Sequence, residues 1–325
     1  MAHIGRLVNL GIARESSRGA GAAATYWLPK TEFTFASKAD KLDSMEAHGV
    51  IEDATDGFVA QKYAEGNVGG EIRDTSFGLF LYSLLGSVSS AVLETTAYNH
   101  TFTVSNSNQH QSLCFTVDSP IDDILFKLVA INSLEINVEL GELVKYTANF
   151  MSRTHTDSTG LSASYTSENR FLSKHATIKT AAARGDLAAA SGLTVKGVRL
   201  TISKNLERDN KLGSIEADDF LNKQLSVEGE ITLNETDRTY RDYMLDEGTY
   251  RALSIDLANT DVTIGATSNP RLQIIMPRVH FFDWTPDRTL DEIAKQTIRF
   301  KGLYDVANSE NSIYETILTN EATSY

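Results

Sequence analysis

Seven histidines, one cysteine and a dense population of carboxylates are the side chains on which this sequence could build chemistry. The histidines (His3, His48, His100, His110, His155, His175 and His280) are scattered. None has the i, i+4 spacing that lets two imidazoles on one helix face share a zinc ion. His100 and His110 flank a polar stretch and read as surface residues. Cys114 lies between Leu113 and Phe115 in an apolar run, the setting of a small buried hydrophobe rather than of a reactive thiol. Gly66-Asn67-Val68-Gly69-Gly70 lacks the lysine and hydroxyl of a phosphate loop and the spacing of a dinucleotide fingerprint, so its glycines read as a strand bulge. Asp122-Asp123 and Asp218-Asp219 are adjacent pairs on loops, which says nothing of general acid–base work. A glycosidase needs two carboxylates across a cleft, usually with aromatic platforms. Only Trp27 and Trp284 are available, and both fall in segments better read as packing. No Gly-x-Ser-x-Gly elbow and no EF-hand spacing is present. The sequence therefore assigns no catalytic residue, no cofactor-binding residue and no metal ligand, and a non-enzyme is expected.

Bulk properties narrow the class further. The chain has 325 residues, 41% apolar and 22% charged, enough for two domains that each bury a core. A single cysteine rules out an intrachain disulfide and suits assembly in a reducing compartment. No secretory signal is read at the start, and the apolar patch Phe77 to Leu85 is about half a membrane span, so a soluble protein without membrane insertion is expected. The net charge of −13 comes without a basic stripe, which argues against a protein that grips nucleic acid. It fits either plain solubility or a surface that must not stick to a passing polyanion.

The elements that would position any site are mainly strands. Residues 1–27 are small and polar and read as an N-terminal arm that orders only by packing on something else. Leu28 to Phe35 alternates as a strand, and residues 36–57 read as a charged loop. Phe58 to Ile72 is again strand-like. The stripe Phe77, Phe80, Leu81, Leu84 and Leu85 predicts a short helix stopped by Gly86. Ile121 to Ile131 reads as a short element after Pro120. Ser133 to Leu140 and Val144 to Phe150 alternate around Gly141-Glu142, which predicts a tight antiparallel pair.

A repeat then emerges. Val68-Gly69-Gly70-Glu71-Ile72 returns as Val227-Glu228-Gly229-Glu230-Ile231, 159 residues on. Leu200 and Ile202 echo Phe33 and Phe35 at an offset of 167, and Lys295 to Phe300 echoes Lys145 to Phe150 at 150. A second helix is expected from about Asp237 to Glu247, stopped by Gly248. The expected organisation is an arm at 1–27, a first domain at 28–151, a Ser/Thr/Ala-rich connector at 152–192, a second domain at 193–306 and a tail at 307–325. The fold class is mainly β with some α: a duplicated antiparallel unit, each copy flanked by a short helix.

Several motifs resemble the major tail tube proteins of tailed bacteriophages. Leu10-Gly11-Ile12-Ala13-Arg14-Glu15-Ser16-Ser17-Arg18-Gly19 is similar to the opening of many of them, as is Trp27-Leu28-Pro29 leading into Phe33-Thr34-Phe35. Lys62 to Asp74 ahead of a Phe-Gly-Leu helix, Asn106 to Ser112, and Glu139-Leu140-Gly141-Glu142-Leu143-Val144-Lys145 match as well. The resemblance implies β-sandwich or partial-barrel domains whose rings stack into a hollow tube. Two domains per chain would let a trimer close a pseudo-sixfold ring by repeated heterologous contacts. The loops 36–57 and 203–219, the arm and the tail after Val306 would touch the next ring. The implied partners are further copies of the chain, a tape-measure protein and DNA in an acidic lumen without tight binding, and the tail terminator, baseplate and sheath. The implied location is the virion tail, assembled in the host bacterial cytoplasm, and the implied role is to conduct DNA during ejection. A terminator, baseplate or secretion-tube subunit of the same fold is the alternative.

Overall fold

The computed structural model describes residues 3–325. Antiparallel strands make up most of it, with two short helices, α1 (Phe77–Leu85) and α2 (Thr239–Leu245). One sheet runs through both halves of the chain. Asp56–Glu71 pairs with Lys145–Ser152, and Lys145–Ser152 with Asp123–Glu139. The free edge of Asp123–Glu139 takes Val195–Ser203, and the sheet continues through Ser226–Asn234 and Lys295–Gly302 to Arg271–Asp287. Period-two alternation puts Leu134, Ile136, Val138, Leu200, Ile202, Ile231 and Ile298 on its buried face.

A second layer covers that face. In the first half it comprises Tyr26–Leu28, Asn9–Arg14, Leu113–Asp118, the start of Asp123–Glu139, and Thr156–Ser158. In the second it comprises Ala176–Ala181, Arg251–Ala258, the start of Arg271–Asp287, Glu315–Asn320 and the hairpin Gly86–Val92/Tyr98–Val104. The helices fill the gap. Phe80 of α1 packs against Tyr146 and Phe150 with ring centroids 5.3 and 5.4 Å apart, and Tyr240 of α2 lies 5.7 Å from Phe281. Gly86, at φ 88°, closes α1 in the left-handed conformation that glycine tolerates best. At the other end of α1, the Glu168 carboxylate accepts from the Ser76 N–H and hydroxyl, both at 2.8 Å.

The pairings recur along the chain, register for register. Phe150 faces Ile131 and Phe300 faces Phe281, and in both ladders a bulge follows, so that Asn149 faces Ser133 and Arg299 faces Asp283. Lys30 faces Gly70 and Glu32 faces Gly69 across a bulge; Val195 faces Leu233 and Gly197 faces Thr232 across another. Leu113 with Val129 and Phe115 with Phe126 have the same relation as Arg251 with Val279 and Leu253 with Met276. In these ladders the residue equivalent to Gly229 is Gly66: Gly66 faces Phe150, and Gly229 faces Phe300. The Val68–Ile72 and Val227–Ile231 echo is thus four residues out of register, and the echo of Phe33 and Phe35 in Leu200 and Ile202 is two out, since the ladders equate Glu32 with Gly197 and so Phe35 with Leu200. Local identity of a glycine-rich strand does not specify its pairing, whereas bulges and buried partners do.

Other expectations are also corrected. Residues 36–57 are not a loop: Ala36–Ser44 pairs with Asp56–Glu65 as a projecting hairpin, with Leu42, Met45, Ile51 and Phe58 exposed. Residues 205–219 pack on its base, where Lys62 N–H donates to Ile215 O at 2.7 Å and the Arg208 guanidinium covers the Tyr63 ring at 3.5 Å. The expected arm holds a strand, Asn9–Arg14, with Leu10 and Ile12 fully buried. The expected connector contributes Thr156–Ser158 and Ala176–Ala181 to the sheets. The expected tail contributes Glu315–Asn320 and ends with Tyr325 buried, its hydroxyl donating to Thr75 O at 2.6 Å. Of residues 121–131, all from Asp123 onward belong to the long strand Asp123–Glu139 rather than to a separate element. Helix α2 ends at Leu245, with Gly248 in the turn beyond.

The glycines of the recurring joint are fixed by close approach. A Cβ on Gly229 would lie 2.6 Å from Arg199 O and 2.5 Å from the Phe300 ring, and one on Gly66 would lie 2.5 Å from Phe35 Cα and Thr34 O. Backbone must move to admit it. Gly66→Ala and Gly229→Ala are each expected to lose about 1–3 kcal/mol, the usual cost of overpacking, as a lower denaturation midpoint. Gly5→Ala, with nothing within 4 Å of its Cβ, should leave the midpoint unchanged.

Candidate functional site

The buried groups that a catalytic reading would choose are engaged in holding the fold. Asp74 is buried and accepts from Asn169 N–H at 2.9 Å and Asn169 Nδ2 at 2.7 Å. Burial raises its pKa and that of Glu168, but the Glu168 oxygens are spent on the start of α1. His100 and His110 are buried, contrary to the surface positions expected for them. His100 is bonded to Ser90, Asn320 and Ala322 O, and His110 to Leu84 O and Ser105 O. Burial lowers both imidazole pKa values. Cys114 is fully buried against Ala22 O, and burial pushes its thiol up. Among the described residues, no three His, Cys, Asp or Glu side chains stand together as a metal site would require. No helix among them is long and apolar enough to cross a membrane.

What remains is a surface, the polar face of the long sheet. Its carboxylates are Glu32, Glu65, Glu71, Glu135, Glu139, Glu228, Glu230, Asp283 and Asp287; its cations are Lys38, Lys145, Arg199, Lys295, Arg299 and Lys301, placed there by alternation with the buried positions. Every one of those cations has a carboxylate within 4 Å. Lys38 meets Glu65 at 2.8 Å, Arg199 meets Glu135 at 2.7 Å, and Lys301 meets Glu228 at 2.8 Å. Arg299 sits 3.6 Å from both Glu230 and Asp283. Lys145 pairs with Glu142, and Lys295 with Glu292 at 3.6 Å. The Glu135 carboxylate raises the Arg199 pKa, and Lys301 lowers that of Glu228. Such exposed pairs add little stability. Their consequence is electrostatic: these six cations are already engaged and carboxylates are in excess, while Lys196, beside the groove on this face, has no carboxylate within 4 Å among the described residues. A shallow groove of about 530 Å³, lined by Asn137, Glu139, Arg199 and Glu230, crosses the strands where the two halves of the sheet meet. It is open along the face and encloses nothing.

Against this geometry, a family model described as "Phage tail tube protein" matches residues 5–301. The chain belongs to that family. It is a structural component of a phage tail, and the family's role is non-enzymatic. No curated protein is matched by the sequence. The signal that was present in the sequence is the alternation itself, since each second residue of these strands is polar.

One buried charge was not anticipated. Lys204 follows the strand Val195–Ser203, is fully buried, and donates to Ser83 O at 2.8 Å. Among the described residues no carboxylate pairs with it; burial first, then the nearby Arg18 charge, lowers its pKa to about 7. Unfolded, this lysine keeps its proton to about pH 10.5, whereas folded it releases it near 7. The unfolded state therefore binds more protons between those values, and stability rises with pH across that window. Comparing melting temperatures of wild type and Lys204→Met from pH 6 to 10 should show the variant more stable at the acid end, by at least the ~2 °C that ~1 kcal/mol gives in a large domain. The difference should shrink as pH rises, and a constant difference would assign the lysine an ordinary surface pKa.

Proposed function

We propose that the chain consists of two tube domains, about residues 9–158 and 176–320, and that three chains close a ring of six such domains. Rings of this kind stack into a hollow tube whose bore is the polar face of the sheet. The observation that carries this reading is the joint within the chain, where the strand edge of one unit is completed by the first wall strand of the other. A unit that joins to its own copy side by side, through different edges, makes the heterologous contact from which rings are built. Closure also removes the exposed strand edges that would otherwise recruit other chains.

The face fits the passage of a polyanion. Mostly paired cations and surplus carboxylates give a surface that repels phosphates weakly, so DNA slides without tight binding during ejection. Before DNA enters, a tape-measure protein fills the bore. The projecting hairpin, with Leu42, Met45, Ile51 and Phe58 exposed, is the element suited to reach the next ring, since the N-terminal strand and the final strand are committed to the fold. Assembly takes place in the host bacterial cytoplasm, and the tube ends meet the terminator and baseplate, with a sheath where the tail is contractile.

Electron microscopy of the purified protein tests the assembly. Hollow tubes with a regular axial repeat are expected; discrete rings that never stack would favour a terminator or adaptor, and monomers at high concentration would exclude a tube. The lumen assignment is tested separately by Glu139→Lys combined with Glu230→Lys in the phage. Tubes and tails of normal appearance should form, while DNA delivery falls by at least tenfold. Unchanged delivery would place this face outside the bore.

A further inference from the structure

Two strand edges of the long sheet have no backbone partner among the described residues. One is the outer edge of residues 280–287: Lys295–Gly302 pairs along its other side, and the neighbours Arg251–Ala258 and Glu315–Asn320 stop at Val279 and Ile275. The other is the outer edge of residues 30–38, which pair only with Asp56–Glu71. Within the chain, the counterparts of these two edges are already joined. Residues 129–137 correspond to 279–287 through their shared bulge. Residues 195–203 correspond to 30–38 through theirs, and the match extends beyond it: Ala36 faces Glu65 and Ser37 faces Ala64, as Thr201 faces Glu228 and Ile202 faces Val227. In the internal joint Thr201 faces Glu135, Ile202 faces Leu134 and Ser203 faces Ser133.

We propose that the edge at 280–287 is completed by residues 32–38 of a second copy of this chain, in the register of the internal joint: Thr34 opposite Asp287, Ala36 opposite Thr285, and Lys38 opposite Asp283. The inference rests on the ring reading and adds to it the two surfaces and their alignment. Side-chain chemistry agrees with the register. Transposition puts Thr34, Ala36 and Lys38 on the polar face beside Asp283, Thr285 and Asp287, and it sets the Lys38 ammonium against the Asp283 carboxylate. A slip of one residue would turn Phe33 and Phe35 onto the polar face.

The contact between chains also lacks one element of the contact within the chain. The hairpin Gly86–Val92/Tyr98–Val104 reaches from the first unit to pair with Glu315–Asn320 of the second. In the second unit only residues 246–250 separate α2 from the next strand, so no such hairpin extends to the neighbour.

Directly opposed Cβ atoms lie close enough for a disulfide, whereas diagonal neighbours do not. The full chain carrying Ala36→Cys and Thr285→Cys is therefore assembled, oxidised, and run on a non-reducing gel beside Ala36→Cys with Asp287→Cys, with particles from the same samples viewed by electron microscopy. The in-register pair should give covalent oligomers ending at one closed size, at least tenfold more than the displaced pair. Lys38→Cys with Asp283→Cys should behave as the in-register pair does, which guards against one variant misfolding. Rings or tubes with equal or no cross-linking in both in-register variants would overturn this alignment and leave the ring reading standing. A chain that stays monomeric in every sample, wild type included, would overturn both.

Discussion

The backbone ladder between Ser133–Glu139 and Gly197–Ser203 is the contact on which the rest of the structure depends. It converts two sandwich-like units into one continuous sheet and so fixes the angle and height of one unit relative to the other. A side-chain interface of similar area could slip. A ladder with a buried face cannot, because moving by one residue would send Ile136, Val138, Leu200 and Ile202 to the polar side. The hydrophobic contribution is therefore inseparable from the hydrogen bonds: at roughly 25 cal/mol per Å² of apolar area, the core rewards only registers that keep these side chains inside.

That constraint explains what could be read from the sequence. The antiparallel pair around Gly141 was legible because one face of each strand is buried, so apolar residues alternate cleanly from Leu134 to Val138 and from Val144 to Phe150. Helix α1 was legible because nearly all of it is buried and a glycine closes it. Ala36–Ser44 was not, since most of its residues face solvent on both sides and leave no apolar period. Asn9–Arg14 was missed because Gly11 and Ala13 dilute the pattern; the space above Gly11, where a Cβ would come within 2.5 Å of Ala24, accounts for the small residue. The Val-x-Gly-Glu-Ile echo misled for a related reason. It is a real likeness of composition at two wall strands, but the pairing is set by where the bulges fall.

The polar face was legible only in outline. Net acidity is a property of composition, and it fits a solubility role as well as a conduit. The cross-strand pairs on this face bring together residues up to 73 positions apart, as with Lys301 and Glu228. Lys204 was invisible for the opposite reason. A lone lysine after a strand reads as a solvated end, and nothing local says that α1 lies over it.

The fold also carries an asymmetry between its seams. Inside the chain, two units are held by the wall ladder and, in the outer layer, by the hairpin at 86–104 clasping Glu315–Asn320. In the ring proposed above, the second unit would have no such hairpin to offer the next chain, which leaves only the wall. Covalent connection adds to the difference, because joining two units through a linker replaces a bimolecular association by an intramolecular one of high effective concentration. In the proposed ring, fusing two units would therefore halve the number of weak seams. It also leaves the duplicated halves free to diverge at their outer surfaces, since the bulges and the two glycines that define the wall are retained in both, whereas the 86–104 hairpin is not.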